Sequence, residues 1–285
     1  PSLCVDWVAQ SFRMKKDSQL PAKVSVHPAG NDFFTTMPCL LPSDKERFGV
    51  KVVSRILGRT PSLSSDILLY NSANGELLAL INADWITSMR TGAVATLAIK
   101  TLRSSSARKY SFIGLGNTAR ATLLCLLSSF PDEIFQVVLF RYKDQAEYFI
   151  DYFRTFGNVV FSVVDTMEEL VEDADVLVSC ITDADGLLIG NDALFKPGIL
   201  LVPVHTRGFQ NCDLFFDKVF ADDTEHVRSF RYFNQFKWFN EIGDVLDGTC
   251  RGRENDKERI LSYNIGLGLH DVFFASNIYD MITNR

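Results

Sequence analysis

The run Gly114-Leu-Gly116-Asn117-Thr118-Ala119 follows a short apolar stretch, Tyr110–Ile113, and leads into a helix-forming one, Ala119–Ser128. In that strand–turn–helix setting a G-x-G-x-x-A spacing has a physical use. The first glycine permits a tight turn, and the second lets a pyrophosphate come up against the backbone. The small third residue lets the helix pack on the strand, and the helix's free N–H groups and dipole hold the phosphates. Gly114, Gly116, Asn117, Thr118 and Ala119 are therefore candidate dinucleotide contacts. The alternative is a fold of this kind that holds no cofactor. A ribose reader is expected at the end of the next strand, where Asp or Glu would bind the 2′-hydroxyl of NAD. Leu139-Phe140-Arg141-Tyr142-Lys143 offers no carboxylate and two cations. Arg141 is thus a candidate for a 2′-phosphate, and the expected cofactor is NADP, with NAD the alternative. His205 follows the apolar strand Leu200–Val204, at the carboxyl end where α/β sheets place their ligands. As imidazolium it could give a proton to a substrate nitrogen. A histidine filling a polar niche at a strand end is the other reading.

The surrounding pattern supplies the frame. A helical stripe over Val5–Lys16 precedes strands at Pro21–Val26, Phe48–Arg55, Asp66–Asn71 and Leu77–Ile81. Asn74-Gly75 marks a hairpin between the last two. A helix is predicted over Thr91–Leu102. From Tyr110 the character changes to strands at 110–113, 135–140, 159–164, 175–181, 199–204 and 218–221, with helices at 119–128, 144–155 and 166–172 between the earlier ones. Such alternation implies right-handed βαβ units and a parallel sheet. From about Glu225 the chain reads as helical, ending with Gly266-Leu-Gly268 ahead of apolar Val272–Ile278, which is expected to return to the first domain.

The chain has 285 residues, a length that favours two domains. A net charge of −6 provides no basic field for a phosphate backbone, which argues against a nucleic-acid partner. The apolar runs are strand-length, far short of the roughly 20 residues of a membrane span, and the start does not resemble a signal peptide. The chain opens at Pro1 rather than Met, consistent with trimming of a short leader. Six scattered cysteines without a CxxC pair read as reduced thiols of a cytoplasmic protein, and the four histidines suggest no metal site.

Met89-Arg90-Thr91-Gly92-Ala93 resembles the R-T-[AG]-A signature of the ornithine cyclodeaminase/μ-crystallin family. Further stretches agree with that family in order and spacing: Met37-Pro38, Gly49 to Val53, Gly75 to Ala79, Ile86-Thr87, Ala174-Asp175 with Thr182, Pro197-Gly198, Glu241 to Gly248, and Ser262 through Gly266 to Asp271. The resemblance spans nearly the whole chain. It implies a Rossmann doubly wound parallel sheet (residues 105–239) inserted into a mixed α+β substrate-binding and dimerisation domain (residues 1–104 and 240–285), working as a homodimer. It also implies that Arg90 and Lys51, with Lys23 as a third cation, bind the α-carboxylate of an amino acid, and that Thr182 and Asp271 belong with the cofactor. Charge-assisted donors, one of them the planar fork of Arg, suit a carboxylate. Arg90, read as lying just before a helix N-terminus, would gain dipole support.

The departures bear on the reaction. Counted without gaps from Pro197-Gly198, Arg207 stands where cyclodeaminases carry their catalytic Asp, and Asp213 where they carry a following Glu; Thr35 replaces a carboxylate just before Met37-Pro38. A cation at 207 would repel a substrate ammonium. The expectation is hydride transfer between NADPH and the Cα of a small amino acid or its (cyclic) imine. The alternatives are ornithine cyclodeamination to proline and ammonia, and a non-catalytic protein that binds NADPH and a small ligand.

Overall fold

The structure is a computed structural model that describes residues 1–181, 184, 186–205, 209 and 212–283. In chain order its elements are α1 (Ser2–Met14), β1 (Val24–Val26), β2 (Phe33–Leu40), β3 (Arg47–Arg55), β4 (Leu63–Asn71), β5 (Leu77–Asn82), α2 (Asp84–Leu102), β6 (Lys109–Ile113), α3 (Asn117–Ser129), β7 (Phe135–Phe140), α4 (Gln145–Tyr152), β8 (Val159–Val164), α5 (Met167–Val171), β9 (Val176–Ser179), β10 (Leu200–Pro203), β11 (Lys218–Ala221), α6 (Thr224–Val227), β12 (Phe239–Glu241), α7 (Ile242–Leu246), β13 (Ile260–Tyr263) and α8 (Gly268–Thr283). They form two compact units, residues 6–90 with 266–285, and residues 1–5 with 91–265.

The first unit is an antiparallel sheet in the order β1-β2-β3-β4-β5. One of its faces is buried through Met37, Cys39, Gly49, Lys51, Ile67 and Leu69, whose alternation follows from the two-residue period of a strand. Helix α8 covers that face, every residue from Gly268 to Ser276 being buried. The approach is close because β3 has a glycine there: a Cβ on Gly49 would lie 2.8 Å from a methyl of Val272. From α1, Ser11 Oγ sits 2.7 Å from His270 Nδ1, and Trp7 packs edge-on against Phe274. The β4–β5 hairpin turns at Asn74-Gly75 as expected, with Gly75 at φ +78°. Strand β2 was not expected, because Pro38 interrupts its pattern. Its pairing with β1 ends at Thr36, so the missing N–H of Pro38 costs no bond to that neighbour.

The second unit is an eight-stranded, all-parallel sheet in the order β12-β11-β13-β10-β9-β6-β7-β8. Its growth reverses direction between β6 and β9, where doubly wound sheets open a crevice at their carboxyl edge. The region after Glu225 departs from the helical expectation. It contributes β12 and β13, and its helices α6 and α7 are only four and five residues long. β13 lies between β10 and β11 with all four residues buried, so it shows no polar/apolar alternation to betray a strand. Residues 91–102 also cluster with this sheet, since a Cβ on Gly92 would stand 2.5 Å from the backbone of Ala121 and Thr122. The contact boundaries therefore fall at 90/91 and 265/266, where the sequence had suggested 104/105 and 239/240. Among the described residues no helix is long and apolar enough to cross a membrane.

Candidate active site

The turn after β6 is built as its glycines require. Gly114 has φ +80°, and a Cβ there would lie 2.6 Å from the backbone of Cys180 and Ile181. A side chain is thus excluded by both conformation and space. Gly116 faces open space and is the N-cap of α3, with no side chain capping the helix. The first-turn amides, from Asn117 and Thr118 to buried Ala119, lack intrahelical partners and suit an anion. Beside them lies a cleft of about 420 Å³ lined by Ile113, Gly114, Gly116, Phe140, Tyr142, Gln145, Cys180 and Ile181. Aromatic and aliphatic walls next to a glycine-walled anion cradle fit a dinucleotide: flat base on the walls, pyrophosphate on the amides. Thr182 lies outside the described residues.

Arg141 follows β7 but is not a free cation. Its Nε donates to Asp165 at 2.7 Å and its Nη1 to Glu147 at 2.9 Å. His205, just past β10, has Nε2 2.7 Å from Ser179 Oγ at the end of neighbouring β9 and stacks on Phe209. Ser179 was missed; its signal was its place at the same carboxyl edge as His205. Of the positions compared with cyclodeaminase carboxylates, Arg207 lies outside the described residues. Thr35 shares a hydrogen bond with the Ser25 hydroxyl at 2.7 Å. Asp213 is fully buried and accepts from Tyr263 Oη at 2.5 Å. Burial pushes its carboxyl up to about 7 against that hydrogen bond.

The other candidates converge in the unit of residues 6–90 and 266–285. Lys51 projects from β3 on the face that α8 covers, and its Nζ lies 2.7 Å from Asp271 Oδ2. The pair is close but poorly aligned as a hydrogen bond. Arg90 Nε donates to Asp271 Oδ1 at 2.9 Å, while its buried Nη1 has no hydrogen-bond partner among the described residues. Lys23 Nζ donates to the Gly266 carbonyl at 2.9 Å and is near enough to Lys51 to disfavour its charge. Burial pushes the Lys51 ammonium down to about 7, with Arg90 adding to the effect and Asp271 opposing it. Burial would raise the Asp271 carboxyl, but Arg90 and then Lys51 hold it below the usual range.

One expectation changes here, and Asp271 gains partners that the sequence did not show. Asp271, expected with the cofactor, has both carboxylate oxygens facing Arg90 and Lys51 and is their counter-ion. Arg90 does not precede a helix: α2 begins at Asp84, whose carboxylate accepts from Ser65 N at 2.7 Å, so Arg90 stands within the helix and gains nothing from its N-terminal dipole. Gly266 was quoted in the sequence without a role. At φ +91° it passes so close to Arg90 that a Cβ would fall on Nη1. Arg90, Lys51 and Lys23 thus gather nitrogen donors around Asp271, an arrangement suited to a ligand anion.

A profile of the ornithine cyclodeaminase/mu-crystallin family matches residues 2–285. The chain belongs to that family and is an enzyme of it. It is 27% identical over 273 residues to the nodulation efficiency protein NfeD of Rhizobium meliloti, covering 92% of this chain and 83% of that one. It is 27% identical over 256 residues to a delta(1)-pyrroline-2-carboxylate reductase of Bacillus cereus, covering 82% and 77%. The fold is that of the Thermococcus litoralis delta(1)-pyrroline-2-carboxylate reductase solved with NADH and L-proline, with a TM-score of 0.86, 22% identity and coverage of 99% and 93%.

Proposed function

We propose that this protein is a nicotinamide-dependent oxidoreductase that interconverts a small α-imino acid, cyclic imines included, and the corresponding amino acid. The buried Lys51–Asp271–Arg90 cluster carries this reading, because its enclosed nitrogen donors, with Arg90 Nη1 lacking a hydrogen-bond partner among the described residues, suit a carboxylate. Arg90 supplies a planar fork and Lys51 a second charge, with Lys23 beside them; together they would bind and orient the substrate carboxylate. Gly114, Gly116 and the first turn of α3 would seat the dinucleotide pyrophosphate. A bound nicotinamide supplies or accepts hydride at the substrate carbon. His205, kept in one orientation by Ser179 and Phe209, would hold the proton destined for the substrate nitrogen.

Cyclodeamination has less support. Thr35 bears no charge, and Asp213 is enclosed against Tyr263. The exposed apolar residues on the outer face of the β1–β5 sheet support a homodimer, and the free thiols Cys4, Cys39, Cys125, Cys180 and Cys250 support a reducing, cytoplasmic setting.

The test is a panel of cyclic and acyclic imino acids and amino acids, followed by nicotinamide absorbance, with ammonia release from ornithine measured alongside. Imine reduction is expected, with little ammonia. Arg90→Ala should raise the substrate KM by about 10- to 100-fold while cofactor affinity is kept. Rapid ammonia release, or Arg90→Ala at full efficiency, would overturn the reading.

A further inference from the structure

Arg141 and Asp165 are the first residues beyond paired strands: β7 and β8 run parallel, with Phe140 opposite Val164 at their carboxyl ends. That register sets the guanidinium beside the carboxylate, and the first turn of α4 brings Glu147 to its other side. The guanidinium is therefore held by two carboxylates through two different nitrogens. Of the next residues, Lys143 adds a cation and Asp144 a carboxylate. Lys143 turns its ammonium over the Tyr142 ring at 5.2 Å, and Asp144 stands between it and α4. Glu169 of α5 reaches back to the Asp165 and Thr166 amides, placing another carboxylate near Asp165. Next in the chain to Phe140, Tyr142 and Gln145, which line the cleft, Arg141 thus has Glu147 and Asp165 on its guanidinium, with Asp144 close in sequence and Glu169 behind Asp165.

A ribose 2′-hydroxyl and a 2′-phosphate ask opposite things of such a cluster. The hydroxyl needs an acceptor, and a carboxylate is the best one. The phosphate brings close to two negative charges and needs uncommitted cations. We propose that this cluster selects NADH over NADPH, with Asp165 and Glu147 acting as specificity residues that neutralise Arg141 and repel a 2′-phosphate. The inference rests on reading the cleft as a dinucleotide site, and it reverses the cofactor preference that the arginine alone suggested.

All three side chains are exposed, so their replacement leaves the core intact. Calorimetric titration of the wild type with NADH and with NADPH, and of the Asp165→Asn/Glu147→Gln double variant with both, separates the outcomes. The expected result is NADH binding at least about tenfold tighter than NADPH in the wild type. In the double variant the ratio should shift by about tenfold or more toward NADPH as Arg141 is released. Circular dichroism would check that both proteins are folded. Equal affinities or an NADPH preference in the wild type would overturn the selectivity while leaving the dinucleotide site standing. An NADH preference that the double variant retains would overturn the roles of Asp165 and Glu147. Binding of neither dinucleotide would overturn the cofactor reading itself, and this proposal with it.

Discussion

At the scale of single residues, the unusual group is Lys51, an ammonium enclosed in a strand between a carboxylate and a guanidinium. Burial dominates and lowers its affinity for protons to about 7, so at pH 8 the unliganded site holds mostly neutral amine. A bound carboxylate reverses that balance, and binding is then linked to proton uptake. Titrating the amino acid that the substrate panel identifies, at pH 8 in buffers of different ionisation enthalpy, should reveal uptake approaching one proton. The uptake should fade toward pH 6 and be absent in Lys51→Met. The same shift acts on stability. The folded-state value lies below the unfolded one, so between about 7 and the ordinary lysine range the unfolded chain binds more protons, and stability rises with pH there. Lys51→Met should flatten that rise in thermal melts; a wild type that neither takes up protons nor gains stability would refute the shift. Resemblance to known sequences nominated Lys51 and Arg90. Nothing local to Asp271 showed that it is their counter-ion, because that contact exists only once α8 lies on β3. The partners of Arg141 were hidden for the same reason: Asp165 and Glu147 become its neighbours through strand register and a helix turn.

At the scale of elements, glycine sets how closely the pieces meet. Gly49 lets α8 sit down on β3, and Gly266 lets the backbone pass across Arg90 just before α8 begins. In Gly266→Ala the new methyl would compete with Arg90 Nη1 for the same space, at a φ that alanine resists. The guanidinium is the softer party and should move, loosening its bond to Asp271. The expected phenotype is a substrate KM raised by about tenfold or more with cofactor affinity unchanged, alongside a loss of stability of about 1–3 kcal/mol. An unchanged KM would mean that Arg90 does not bind the substrate in this position. The strand–turn–helix around Gly114 and the hairpin at Asn74-Gly75 were readable because glycine spacing and hydrophobic period agree there. β2 and β13 were not. Pro38 disguises the first, and the second is a four-residue strand buried on both sides, whose place between β10 and β11 is a long-range fact. The start of α2 was hidden similarly, since its first turn is anchored by a hydrogen bond to Ser65 on β4.

At the scale of the whole molecule, the antiparallel sheet poses a question of solvation. Its inner face lies under α8, but its outer face also carries many apolar residues, with Asp66 and Asn82 interspersed. The pairing register puts Val24 beside Thr36, Val26 beside Phe34, and Leu68 beside Leu80 on one surface, where Leu80 is 70% and Val26 60% exposed. An antiparallel sheet that meets water on one side usually carries mostly polar residues there, and an exposed apolar patch marks an interaction surface. A second copy is the simplest cover, because a two-fold axis pairs the same patch with itself. The wild type is therefore expected to sediment at twice the chain mass at micromolar concentration. Charging both edges of the face with Val26→Glu on β1 and Leu80→Glu on β5 brings added like charges into that self-paired surface, and should weaken the dimer by about 100-fold or more. Ile134→Glu, at an equally exposed apolar residue on the other unit, is the control and should leave the mass unchanged. Lys51 and Asp271 lie on the opposite side of the same sheet, so the charged variant should keep whatever amino-acid affinity the wild type shows in the substrate panel if its sheet stays folded as a monomer. A monomeric wild type, or dissociation by Ile134→Glu alone, would show that the outer face meets something other than its own copy.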